Sequence, residues 1–133
     1  MDTSVALKPL FEEEESAKVM KLLNLKNNFQ LSVLVPDIFR YEFFNVVGGK
    51  YSAVECEKAY EHLTEKQWSI IPFDHDIIRI ATRLKEKYPK ITFYDAAYHA
   101  LAKAYRIIFV TADERYARMV NEKDVVLLKD LEV

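Results

Sequence analysis

Four short runs of apolar, β-prone residues alternate with longer helical segments along this chain of 133 residues. The apolar runs cover residues 31–35, 68–73, 107–110 and 125–128. The spacing of apolar residues and the capping signals predict helices over residues 11–27, 37–48, 52–66, 74–87, 94–105 and 113–122. This alternation is typical of an α/β fold, here a three-layer α/β/α sandwich around a short, mostly parallel sheet. We expect a single domain over residues 1–133, because this length leaves no room for two.

The composition excludes several classes of protein. The two glycines are adjacent, at Gly48 and Gly49, so the chain has no glycine-rich phosphate-binding loop. It has neither a CxxC nor an HExxH motif, which argues against a zinc site. With a net charge of −2, binding to RNA or DNA would need a local patch or bound cations. No stretch could span a membrane and no secretory signal is visible, so we expect a cytoplasmic protein.

Four acidic residues fall near the carboxyl ends of the predicted strands, where α/β folds place their ligand sites. They are Asp2, Glu42, Asp95 and Asp113. Three of them also have an ordinary structural interpretation. Asp113 can cap the helix that follows it, and Asp95 can complete a capping box with Thr92. Asp2 can be a solvated terminal residue.

Glu42 is harder to explain by structure alone, because its helix neighbours are mostly apolar and a carboxylate among them is costly unless it is paired. It could turn outward, or pair with Arg40 or Lys50. Four carboxylates at one sheet edge repel one another unless a cation holds them ionised. Histidine and cysteine are scarce, so the set indicates a hard cation such as Mg²⁺ or Mn²⁺. Such an ion can activate water for attack on a phosphodiester.

Four segments of the chain match the motifs of a known family in order, at residues 2–8, 36–47, 92–102 and 109–115. On these segments the chain resembles the PIN-domain ribonucleases, in particular the toxins of VapBC-type toxin–antitoxin pairs. The resemblance implies an endoribonuclease that depends on Mg²⁺ or Mn²⁺ and cleaves single-stranded RNA. It also implies a homodimer that a small antitoxin protein blocks.

The resemblance assigns the site residue by residue. It implies that Asp2, Glu42, Asp95 and Asp113 are the catalytic acids, and that the first, third and fourth of these bind the metal. It further implies supporting roles for Ser4, Asn45 and Thr111. In that family a hydrophobic strand precedes the first aspartate, whereas Met1 alone precedes Asp2 here. We therefore expect a first strand that is truncated.

Two rival functions remain open. The first is a phosphatase with Asp2 as nucleophile, but the usual second aspartate two residues later is Ser4 here. The second is a PIN-like scaffold, weakly active or inactive, that binds RNA or a protein partner. A saturable Mn²⁺ site would separate the nuclease from the scaffold. We expect His99 at the helix surface or at an interface, because metal-activated water needs no catalytic histidine.

Overall fold

The computed structural model describes residues 1–28, 31–64 and 68–133. Within these residues the helices are α1 (Thr3–Ala6), α2 (Lys8–Phe11), α3 (Ser16–Asn27), α4 (Ile38–Val47), α5 (Ala53–Thr64), α6 (His75–Lys87), α7 (Phe93–Tyr105) and α8 (Glu114–Val120). The strands are β1 (Leu34–Pro36), β2 (Ser69–Ile71), β3 (Phe109–Thr111) and β4 (Val125–Leu127), and a 3₁₀ turn follows at Leu128–Asp130. The predicted end of the 52–66 helix, at residues 65 and 66, lies outside the described residues. No helix in the described part of the chain is long and apolar enough to cross a bilayer.

The strands form two parallel pairs. Strand β1 pairs with β2, and β3 pairs with β4. The α/β class and the parallel pairing predicted from the sequence are therefore confirmed, with the pairing divided between two short sheets. Helix α7 packs against both β1 and β3, so it connects the two pairs through one shared layer.

A mostly apolar groove of about 1110 Å³ lies between the two strand pairs. Val33 and Leu34 line it on the β1 side, and Ile107 and Val110 line it on the β3 side. The chain also enters here, because Met1 lines the groove and the Asp2 amide donates a 3.2 Å hydrogen bond to the Val110 carbonyl. The first aspartate is therefore tied to the end of β3 by its backbone.

Helix α7 is buried along most of its length. Thr92 caps its N-terminus by accepting a hydrogen bond from the Asp95 amide, as predicted. Every residue from 96 to 102 is buried, and alanines at four of these positions allow close packing of the helix against α6. The helix therefore carries buried polar side chains on two faces, since Tyr98 bonds to Glu42 and His99 lies against Tyr116.

Two local predictions are wrong. The helix predicted over residues 11–27 begins only at Ser16, so the acidic run Glu12–Glu15 is not its first turn; Glu12 and Glu15 adopt left-handed backbone angles (φ 50° and 69°) between α2 and α3. Lys8 lies 3.6 Å from Glu13 and 3.5 Å from Glu15, so the run pairs with a lysine rather than with a helix dipole. The sequence also predicts that Asp37 caps the helix over residues 37–48, but its side chain makes no capping hydrogen bond to α4. Its carboxylate instead accepts a 3.4 Å hydrogen bond from the Phe73 amide, which ties α4 to the segment after β2.

Candidate active site

One pocket of about 480 Å³ collects all four acids predicted from the sequence. Asp2, Glu42, Asp95 and Asp113 come from four different places in the chain and line this pocket together. It lies where β3 ends, since Asp113 comes two residues after that strand. The fold therefore brings the four residues to the sheet edge at which α/β proteins bind ligands.

Asp2 is held by donors on both of its carboxylate oxygens. Its Oδ1 caps α1 by accepting from the Val5 amide at 3.2 Å, and it also accepts from Ser4 Oγ at 2.6 Å. Its Oδ2 accepts a short hydrogen bond from Thr111 Oγ1. Burial raises the pKa of Asp2, while the hydrogen bonds from Ser4 and Thr111 oppose that rise. A carboxylate that is desolvated in this way gains from a nearby positive charge.

Glu42 does not turn outward, and it does not pair with Arg40. Its Oε2 accepts from Tyr98 Oη at 2.6 Å and from Thr3 Oγ1 at 2.8 Å, and the two hydroxyls lie 2.8 Å apart. Arg40 instead donates from Nε to the Tyr60 hydroxyl at 3.1 Å. Burial, followed by the hydrogen bond to Glu42, raises the pKa of Tyr98 far above its usual value, so the phenol stays protonated as a donor. Thr3 and Tyr98 thus orient the acid that the sequence leaves unexplained.

Asp113 has the capping role that the sequence suggested, Asp95 bonds to the capping residue Thr92, and both acids also line the pocket. Asp95 lies in the first turn of α7, where its amide donates to Thr92 Oγ1 at 3.1 Å and its Oδ2 accepts from the same hydroxyl at 2.6 Å; the side-chain bond to the Thr92 amide that completes a capping box is not made among the described residues. Asp113 caps α8 by accepting at Oδ1 from the Tyr116 amide at 2.9 Å. These structural contacts and pocket lining are therefore compatible for the two residues, because a carboxylate has a second oxygen.

Three of the four acids share one arrangement. In Glu42, Asp95 and Asp113 one carboxylate oxygen is anchored by protein donors, and the other has no hydrogen-bond partner among the described residues. Anchoring on one side fixes the direction of each carboxylate at little cost to its ability to bind a further ligand. The pocket therefore presents preoriented, unsaturated oxygens, which suit a cation better than an anion.

A sequence model of the PIN domain matches residues 1–122 of the chain. The chain belongs to the PIN domain family. A search of the solved structures finds similarity to a chain of a toxin–antitoxin complex from Klebsiella pneumoniae, with a TM-score of 0.71 and 21% sequence identity. The alignment covers 98% of this chain and 97% of that chain, which extends the shared fold over nearly the full length of both. No curated protein matches this sequence.

The donor set of this PIN domain fits a divalent cation. PIN domains generally use divalent metal ions, and the pocket offers carboxylate oxygens together with the side chains of Ser4 and Asn45. These hard oxygen donors suit Mg²⁺ or Mn²⁺, which also keep several water ligands. Thr111, the third supporting residue predicted from the sequence, does not line the pocket but bonds to Asp2 and accepts from the Asp113 amide at 3.0 Å.

A second group of ionisable residues lies at the opposite end of the β3–β4 pair. Nδ1 of His99 lies 2.7 Å from Tyr116 Oη, and Nε2 lies 3.3 Å from an Asp124 oxygen. The expectation of a surface histidine is wrong, because His99 is 0% exposed and burial lowers its pKa. His99, Glu122 and Asp124 could together ligate a metal, but Lys103 already binds both carboxylates. This network of the PIN domain therefore serves as an internal ion-pair cluster.

Sequence reasoning missed three pocket residues of this PIN domain. Thr3 and Tyr98 orient Glu42, and Lys50 lines the pocket with the acids. A weak signal existed for Tyr98, which lies three residues after Asp95 and hence on the same face of α7. Lys50 is named from the sequence only as a possible ion-pair partner of Glu42, and its place among the residues that line the pocket follows from the tertiary fold.

Proposed function

We propose that this PIN domain is a metal-dependent endoribonuclease that cleaves single-stranded RNA, with Asp2, Glu42, Asp95 and Asp113 as its catalytic acids. The observation that supports this proposal is the single pocket that all four acids line. Among its described lining residues five are acidic and one is basic, so an RNA phosphate would be repelled without added positive charge. Bound Mg²⁺ or Mn²⁺ would supply that charge and would lower the pKa of the attacking water.

The side chains that line the pocket have different proposed roles. Asp2, Asp95 and Asp113 are the proposed metal ligands, and Ser4 and Thr111 keep Asp2 in place through its two oxygens. Glu42 is fixed by Thr3 and Tyr98 through Oε2, which leaves Oε1 to accept a proton from water or to hold a water ligand. Asn45 lines the same pocket and can donate to a phosphate oxygen.

We also propose that the protein is the toxin of a toxin–antitoxin pair and acts in the cytoplasm, where its RNA substrates are found. This proposal draws on the shared fold with a chain of a toxin–antitoxin complex. The expected partners are a small antitoxin protein and a second copy of the chain. If the protein is a toxin, its expression should arrest growth, and the Asp113→Asn variant should not.

The nuclease proposal is tested by cleavage of a fluorescent single-stranded RNA. Cleavage should disappear in EDTA and return when Mn²⁺ is added in excess. Calorimetric titration of the metal-free protein with Mn²⁺ should show a saturable site. A protein that binds RNA with no saturable Mn²⁺ site and no cleavage would support the scaffold function instead.

A further inference from the structure

Lys50 is the positively charged residue among the described residues that line the carboxylate pocket. The same pocket is lined by five acidic side chains, yet Lys50 makes no ion pair within the described part of the chain. Of the five acids, Glu13 already forms an ion pair with Lys8, whose Nζ lies 3.6 Å from Glu13 Oε2. A lysine in such acidic surroundings would be expected to pair with the nearest free carboxylate, and this one does not.

An aromatic ring holds Lys50 in its position. Its Nζ lies 4.2 Å from the centroid of the Phe11 ring, which is within the range of a cation–π interaction. Phe11 in turn stacks on Tyr51, with ring centroids 5.8 Å apart and an interplanar angle of 17°. A ring attracts an ammonium without satisfying its hydrogen-bond donors, so the three N–H groups of Lys50 remain available.

The backbone fixes this arrangement at the mouth of the pocket. The amides of Lys50 and Tyr51 both donate to the Val47 carbonyl at 3.0 Å, which ends α4 in a tight turn. Tyr51 Oη donates at 2.9 Å to the Leu10 carbonyl, and this bond ties the turn to the end of α2. Phe11 also lines the pocket, so ring and ammonium both lie at the site rather than behind it.

We propose that Lys50 binds a backbone phosphate of the RNA at the mouth of the carboxylate pocket and thereby positions the neighbouring phosphodiester for cleavage. This inference rests on the proposed nuclease function. Lys50 is then a positioning residue, and Phe11 directs its ammonium toward the substrate. The acids attract the cation, and Lys50 supplies a fixed positive charge that does not depend on the metal.

The test measures RNA binding separately from cleavage. Wild type, Lys50→Met and Lys50→Arg are titrated against a fluorescent oligoribonucleotide with 2′-O-methyl groups, in Ca²⁺ and in EDTA, by anisotropy at several salt concentrations. Lys50→Met should weaken binding about fivefold and reduce the slope of log K against log salt by about 0.7, as expected for one lost contact to a single strand. Lys50→Arg should bind nearly as wild type does.

Lys58→Met is the matched control, because Lys58 is an exposed lysine of α5 that does not line the pocket. In Mn²⁺ with cleavable RNA, Lys50→Met should raise KM more than it lowers kcat. Lys50→Gln replaces the methionine variant if the latter does not fold. If wild type binds and cleaves RNA but Lys50→Met behaves like Lys58→Met, the inference is wrong and the nuclease proposal stands. If wild type neither binds nor cleaves RNA, both are wrong.

Discussion

The phenol of Tyr98 donates a 2.6 Å hydrogen bond to Oε2 of Glu42, across 56 positions of sequence. Thr3 donates to the same oxygen at 2.8 Å. The acid that sequence reasoning found hardest to explain is therefore satisfied by two neutral hydroxyls rather than by a cation. Its charge is oriented without being neutralised, which preserves the negative potential of the pocket.

Removing the Tyr98 hydroxyl tests the orientation of Glu42 without removing its charge. Tyr98→Phe should lower the free energy of unfolding by about 2 kcal/mol, because one hydrogen bond to a partly buried carboxylate is lost. The same change should weaken Mn²⁺ binding about tenfold, as loss of a supporting hydrogen bond to a metal site typically does. Urea denaturation and calorimetric titration measure the two effects. Tyr105→Phe, at the exposed end of the same helix, is the control that should change neither.

Asp113→Asn should abolish activity while leaving the fold intact. Asparagine caps a helix about as well as aspartate does, so α8 should keep its N-terminus and the free energy of unfolding should change by less than about 0.5 kcal/mol. Cleavage should fall by at least about 100-fold, since a metal-binding charge is lost. Asp74→Asn is the matched control, because Asp74 caps α6 through Ile77 at 2.9 Å but does not line the pocket. Wild-type cleavage by a folded Asp113→Asn protein would contradict the assigned role.

Glu122 should make the free energy of unfolding depend on pH in the acidic range. Burial alone would raise its pKa, but hydrogen bonds from Lys103, Tyr88 and Lys87 outweigh burial and lower the pKa of Glu122 to about 2. A carboxyl whose pKa is lower in the folded state than in the unfolded state stabilises the fold above the unfolded pKa of about 4.5. That contribution, about 2 kcal/mol once solvent screening of this partly exposed group is allowed for, is lost as the pH falls from about 4.5 toward 2.

Glu122→Gln tests this dependence. The variant should be less stable at pH 7 and should lose less stability between pH 4.5 and pH 2 than wild type, as followed by urea denaturation at each pH. An exposed carboxylate of α5, Glu57, provides the control Glu57→Gln. Parallel pH profiles for wild type and Glu122→Gln would show that the ion-pair cluster does not carry the acid sensitivity.

Self-association should involve the exposed apolar side chains of α4 and α5. Tyr41 on α4 is 74% exposed and Val54 on α5 is 59% exposed, and apolar exposure of this extent favours burial against another surface. We expect a dimer at high micromolar concentration by light scattering, and a shift toward monomer in Tyr41→Lys. Ile78→Lys on α6 is the control at another exposed apolar position. A monomeric wild type would contradict the expected homodimer.

The groove between the strand pairs should accept one more strand. A residue in a covered sheet occupies roughly 160 Å³, given a rise of about 3.3 Å, a strand spacing of about 4.8 Å and a layer of about 10 Å. The groove of about 1110 Å³ therefore has room for about seven residues. Joining Val-Ile-Val-Ile-Val upstream of Met1 should raise the free energy of unfolding and hold Asp2 more firmly, which should also raise cleavage. Ser-Asn-Ser-Asn-Ser is the control extension, and equal stability of the two fusions would contradict the prediction.

The part of the site that sequence predicted is the part fixed by local rules. Asp95 and Asp113 are recognisable because a capping residue and the helix that it caps are neighbours in sequence. Glu42 stood out because it is a charge among apolar neighbours. Thr3 and Tyr98 could not be assigned, since their contact with Glu42 exists only once distant segments meet. The alternation of strands and helices likewise predicted the class, whereas the division of the strands into two pairs depends on long-range pairing.

His99 shows why burial was misjudged. Asp95, His99 and Lys103 recur every four residues and so lie on one face of α7, a pattern that is typical of a solvent-facing polar stripe. The tertiary fold instead covers the middle of that face with Tyr116 and Asp124. The position of the Glu12–Glu15 run was wrongly predicted because a local helix-start rule was overridden by the fold. Acidic residues usually suit a helix start, but here a nearby lysine and left-handed backbone angles place them in a connection.

The continuous burial of residues 96–102 has a consequence for how this protein can diverge over time. In a surface helix, substitutions accumulate every three or four positions, where side chains face water. Helix α7 offers no such positions along this stretch, and its alanines have no space to grow without overpacking. Variation in this helix should therefore gather at its exposed ends, at Phe93, Tyr94 and Tyr105, while the interior that carries Tyr98 changes only in concert with its neighbours.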